Sequence, residues 1–125
     1  MRLVKVTNTN RNTVVGDKIE VADTSFTRLF GLLGRRNLDT GRGLWIRPSS
    51  GVHTLGMFIP IDVIGLDKSL RVIRIWPNLV PWRLTSVSLK IQSVIELPAG
   101  RVQQCDTQVG DQLEIQNSPA EVLAR

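Results

Sequence analysis

Apolar and polar positions alternate over "LVKVTN" at 3–8, where Val4 and Val6 face one way and Lys5 and Thr7 the other. The same period of two recurs over "KIEVAD" at 18–23 through Ile19 and Val21. A two-residue period puts like side chains on one face of a strand, so both segments are expected as half-buried strands. The turn-rich run "NTNRNTVVGD" between them suits an antiparallel pair. The period changes in "DTSFTRLFGLLGRR", 23–36, where Phe26, Leu29, Phe30 and Leu33 share one helical face. Asp23 or Thr24 can cap that helix and Gly34 can end it. Gly31 within it costs about 1 kcal/mol relative to alanine, which suggests a second backbone passing close by. A helix this short needs the strands for support.

Beyond it the strand signal returns. "RGLWIRP" reads as a short strand, and "IPIDVIGLD", a turn at "DKS" and "LRVIRIWP" read as a hairpin. Pro81 holds "LVPWRL" extended, "SVIELPAG" is another strand, and "RVQQCDTQ" suits a short helical turn. "VGDQLEI" closes the series with Leu113 and Ile115 inward. The expected fold is mainly β: a compact barrel-like or two-layer antiparallel β domain with one short helix. At 125 residues, 1–125 form one domain.

Several functional classes fall away on composition. The apolar fraction of 42% is that of an ordinary globular chain rather than a disordered one. The start, "MRLVKVTNTN", has no apolar signal-peptide stretch, and no segment approaches the roughly 18 apolar residues of a membrane span. With one cysteine, Cys105, no internal disulfide can form. A cytoplasmic protein that does not bind membranes is expected, of undetermined oligomeric state.

The net charge of +5 is unevenly spread. Residues 28–47 carry Arg28, Arg35, Arg36, Arg42 and Arg47 against Asp39, and residues 68–90 carry Lys68, Arg71, Arg74, Arg83 and Lys90 with no acid. If these segments meet, they can attract a small anionic ligand or, as a second possibility, nucleic acid. Solvated faces are the plainer account of both.

"SSGVHTLGMFIPIDVIGLD", 49–67, lies between the basic segments and holds the chain's one histidine, His53. A lone histidine excludes a multi-histidine metal centre, and no metal-ligand spacing is present, so neither metal nor cofactor is expected. Asp62 sits among Ile61, Val63 and Ile64, so its carboxylate is expected inside or in a pocket. There it needs a partner: His53, an arginine such as Arg28 or Arg35, or backbone N–H groups of the Gly51–Gly56 loop. Pinning that loop is its structural alternative. Ser50, or Ser49, with His53 and Asp62 also supplies the residue types of a hydrolase, although a serine three residues from its histidine is awkwardly placed. Trp45, Trp76 and Trp82 can either pack in the core or rim or, among the arginines, stack bases of single-stranded nucleic acid. Whether the chain is an enzyme is left open. The favoured expectation is a ligand pocket using His53, Thr54, Asp62, Arg35, Ser50 and Trp45.

Four motifs in order resemble a known family. "RLFGLLGRRNL…GRGLWI", "HTLGMFIPIDVIGLD" followed by "RVI", the "VIELPAG" turn and the late "VGDQL" are similar to domain of unknown function 192, from about Asp23 to Leu113. The resemblance implies a compact, mostly β fold with a helix, and implies no agreed activity.

Overall fold

The computed structural model describes residues 2–24, 38–51, 58–83, 85 and 88–119. Seven strands run β1 (Leu3–Asn8), β2 (Thr13–Ala22), β3 (Arg42–Ile46), β4 (Ile61–Leu66), β5 (Val72–Leu79), β6 (Ser93–Pro98) and β7 (Leu113–Asn117), with a short helix α1 (Arg101–Gln104) before β7. They build one sheet in the order β5-β4-β6-β3-β2-β1-β7. The mainly β expectation holds, and the sheet curls into a half-barrel. Its pairings are antiparallel except β2 with β3, which is parallel. A parallel pair needs a long crossover, and the connection from Ala22 to Arg42 supplies one. The helix expected at 23–36 falls in that connection and lies almost wholly outside the described residues.

The alternation over 3–8 is observed as written, with Val4, Val6 and Asn8 buried. β2 begins earlier than expected, at Thr13. Register shifts against β1 between Val4 and Val6 and between Val6 and Thr7 accommodate Gly16 there. The turn therefore shrinks to residues 9–12, with Asn12 at a positive φ of 56°. β5 runs on through Pro77 to Leu79, which an outermost strand tolerates because its far side needs no donors.

The two ends of the sheet meet at one corner. Val72 donates its N–H to Asp111 O at 2.8 Å, Gly110 to Val72 O at 2.8 Å and Leu113 to Leu70 O at 3.0 Å. Asp111 holds this corner to the β1–β2 turn. Its Oδ2 accepts from Asn8 Nδ2 (2.9 Å), Arg11 Nε (3.1 Å) and Gln108 N–H (2.9 Å). Burial pushes the Asp111 carboxyl up, but these hydrogen bonds and the Arg11 charge outweigh it and leave it below the usual range. The Gly-Asp motif is thus a structural clamp.

Curling gives the sheet two buried faces. The inner face gathers Val4, Val6, Val15, Ile19, Val21, Trp45, Ile64, Leu66, Val72, Ile95, Leu97 and Leu113, closed by Val102 and Cys105 from the α1 region. The outer face gathers Ala22, Leu44, Ile46, Ile61, Val63 and Val94 with Ile91, and Leu38, Ile59, Ile73, Trp76 and Leu79 pack against it. Strands buried on both sides read as near-continuous apolar runs, as "IDVIGL" and "SVIELP" do.

Candidate functional site

Asp62 is 2% exposed and points to the inner face, in register with Leu97. Both of its oxygens are occupied. Oδ1 accepts the Asn78 N–H at 2.8 Å and Oδ2 accepts the Val102 N–H at 3.0 Å. The first bond answers a local problem in β5. Ile61 pairs with Leu79 but Val63 with Trp76, so Pro77 and Asn78 bulge opposite Asp62. Asn78 takes a φ of 50°, and its N–H turns to the carboxylate. The second bond ties β4 to α1, which follows Gly100 in the left-handed conformation (φ 89°). The Pro-Ile-Asp and Leu-Pro-Ala-Gly motifs therefore meet in space. Of the three kinds of partner expected for Asp62, backbone N–H groups are found, but they come from Asn78 and Val102.

Trp45 also faces inward, 6% exposed, with its Nε1 lacking a hydrogen-bond partner. The Arg47 guanidinium stacks 4.5 Å from its ring centroid. Ser50 lies at the far end of β3. Ser49 N–H donates to Gln92 O at 2.9 Å, and Ser88 N–H to Ser50 O at 3.3 Å. Asp62 is level with Leu97, five residues further along the same β6 line than Gln92. At about 3.3 Å per residue, that separates Ser50 and Asp62 by roughly 17 Å along the strand direction alone. The structure does not bring these two together, and with both Asp62 oxygens occupied the Ser50/His53/Asp62 arrangement gains no support. His53, Thr54 and Arg35 lie outside the described residues.

The basic segments are partly joined. Arg47 follows β3, Lys68 follows β4, Arg71 precedes β5 and Lys90 precedes β6, all at the Gln92 end of the sheet. Asp23 sits 3.8 Å from Arg47 there, and Asp67 shares a hollow with Lys68 and Lys90. Arg42 is at the opposite end of β3, and Arg74 lies 5.1 Å from the Trp76 ring. Trp82 is 64% exposed and takes a φ of 64°. Among the described residues no group of three or more His, Cys, Asp or Glu could hold a metal, and no helix is long and apolar enough to cross a membrane.

One residue was missed by sequence reasoning. Glu96 pairs with Leu44 on one side and Val63 on the other, so it occupies the middle of the outer face. It is 4% exposed, and its Oε2 is buried with no hydrogen-bond partner. Burial with nothing to offset it pushes the carboxyl up to about 8. Its signal in the sequence is that of Asp62, a carboxylate inside an apolar strand, "VIELP" beside "PIDVI". The ends of the His53 segment flank it. Gly51 leaves from the Gln92 end, where Ser49 is bonded, and Ile59 packs on the outer-face cluster just before Ile61 pairs with Pro98. Leu38, which follows residues 25–37, packs on the same cluster.

Comparison with known proteins agrees with this architecture. A solved structure of a protein of unknown function from Novosphingobium aromaticivorans is 27% identical, with a TM-score of 0.76 over 90% of this chain and 83% of that one. A second, from Sinorhizobium meliloti and assigned provisionally as a transcription regulator, is 22% identical and shares the fold, with a TM-score of 0.77 over 90% of this chain and 92% of that one. UPF0127 protein PYRAB11210 of Pyrococcus abyssi is 33% identical over 103 residues, 78% of this chain and 85% of the relative. The model of the family DUF192, described as "Uncharacterized ACR, COG1430", matches residues 4–115. The chain belongs to the DUF192 family.

Proposed function

We propose that the chain is a small binding module that holds an anionic ligand, or an anionic group of a partner, on the outer face of β6. The observation that carries this is the placement of Glu96 between the two described ends of the His53 segment. An unsatisfied polar atom buried at the centre of a sheet costs stability and marks a place where a partner is missing. His53 and Thr54 then serve as polar contacts and Arg35 as the anion-facing charge. Asp62 works from the other face, fixing β4, the β5 bulge and α1. Trp45 contributes as the inner packing beneath, and Ser50 as the end of the segment that carries His53.

A thermal-shift panel of small carboxylates, phosphate esters and short oligonucleotides, run on the wild type and His53→Ala, tests this. A ligand at 100 times its dissociation constant adds about 2.7 kcal/mol of stability. The expected result is a small anion that stabilises the wild type and not the variant. Equal stabilisation of both proteins places the ligand elsewhere.

A second possibility has an observation of its own. Arg47, Lys68, Arg71 and Lys90 share one end of the sheet, which suits a phosphate backbone. Oligonucleotide affinity that falls steeply with salt, and equally in His53→Ala, supports that surface instead.

A further inference from the structure

We propose that Glu96 is itself a ligand-contacting residue, donating its carboxyl proton in a hydrogen bond to an oxygen of a bound oxyanion, a carboxylate or a phosphate-like group. This rests on the outer-face binding site put forward above and names the ligand chemistry it takes. A carboxyl group ordinarily repels an anion, so the choice follows from what surrounds this one.

Glu96 is hemmed in by Leu44 on β3 and Val63 on β4, with Val94 beside it on its own strand, and none of these can bond to it. The charged groups on the same face, by strand register, are more distant. Among the described residues, Glu20 on β2 lies directly beyond Leu44, with Lys18 and Arg42 one pair further along β2 and β3. Trp76 lies beyond Val63, and Arg74, opposite Gly65, is diagonal to it. Among the described residues, three cations and one acid thus surround an apolar patch whose centre is a buried carboxyl, uncharged at neutral pH because burial raises its ionisation to about pH 8. Such a group has one O–H to give and, in the structure, nothing to give it to at Oε2. An oxyanion supplies the acceptor, and the basic rim supplies the long-range attraction. A cationic ligand meets the opposite arrangement: a neutral floor and repulsive edges. Binding is therefore proton-linked, strong while Glu96 keeps its proton and weak once it ionises.

The experiment uses sulfate and acetate as probes, since neither changes charge between pH 7 and pH 9. Each is titrated into the full chain at constant ionic strength held with sodium chloride, at both pH values, and followed by calorimetry. The expected result is binding about tenfold weaker at pH 9 than at pH 7, the loss that follows from a donor ionising near pH 8. In Glu96→Gln, whose amide donates at every pH, the ratio of the two affinities falls to near one. The tighter of the two probes names the group, tetrahedral or planar. Histidine ordinarily titrates near 6.5, below the window.

Binding that is weakened by His53→Ala but is equally strong at both pH values overturns the role of Glu96 and leaves the site standing. A pH ratio unchanged in Glu96→Gln does the same. Failure of both probes to bind the wild type at either pH removes the site and the inference together. Guanidinium binding that strengthens from pH 7 to pH 9 shows an ionised Glu96 taking a cation, and also overturns it.

Discussion

The Asp62 carboxylate accepts the backbone N–H of Val102 at 3.0 Å, forty residues away in the chain. Its other oxygen takes the Asn78 N–H of the β5 bulge. One buried side chain thereby fixes a strand, a bulge and the start of a helix. Each hydrogen bond to a carboxylate is worth about 1.5–3 kcal/mol, so Asp62→Ala is predicted to destabilise the fold by about 3 kcal/mol or more. Asp62→Asn, which keeps one acceptor oxygen, is predicted to lose less. Urea unfolding of the three proteins measures this, and a loss below about 0.5 kcal/mol in Asp62→Ala, the level of an ordinary surface substitution, contradicts it.

Glu96 predicts an unusual fall of stability with rising pH. Its carboxyl is raised from 4.5 to about 8 in the folded chain, so between those values the native state holds a proton that the unfolded state has lost. The contribution is complete below about pH 4.5 and disappears as pH rises through about 8. The slope from this one group is about 1.4 kcal/mol per pH unit within the window. Glu96→Gln removes it, so its melting temperature is expected to change less than the wild type's between pH 5 and pH 8. Parallel profiles for the two proteins rule this out.

Asp111 acts in the opposite sense. Its folded carboxyl lies below the ordinary 3.8, so its contribution is present above that value and is lost as pH falls through the lowered one. Asp111→Asn is predicted to be less stable than the wild type at pH 6, with the difference narrowing in acid below about pH 4. Thermal melts from pH 2 to pH 6 read both. A difference that stays constant across that range sinks the assignment.

Gly43 tests the packing of β3. A Cβ there meets Glu96 O at 2.5 Å and Ile19 Cδ1 at 2.9 Å. The carbonyl belongs to the neighbouring backbone and cannot swing aside, so Gly43→Ala is predicted to cost about 1–3 kcal/mol. Unfolding at unchanged stability contradicts the register of β3 against β6.

Much of this fold was legible because each strand carried its own signal. "LVKVTN" alternates and becomes a strand with one buried row, and "DKS" turns where the hairpin needs it. The start of β2 was not legible, since "NTNRNTVVGD" has turn chemistry throughout and only pairing with β1 extends Thr13 to Asp17. The parallel pair was equally hidden, because it depends on where a long connection returns. At the site, the apolar neighbours of Asp62 correctly told of burial, yet its partners sit 16 and 40 residues away and no local pattern points to them. Glu96 carries the same local signal and was passed over beside the more conspicuous histidine. Ser50 and Asp62 looked close along the chain but stand at opposite ends of the sheet.

The central claim is that the outer face around Glu96 is where a ligand sits. The most direct test is a titration of isotope-labelled protein with acetate and with sulfate at pH 7, followed by backbone amide shifts. The account predicts the largest changes at Leu44, Val63, Val94 and Glu96 together with His53 and Thr54. Changes confined to Arg47, Lys68, Arg71 and Lys90, with the β6 centre and His53 silent, contradict it and move the binding surface to the basic end of the sheet.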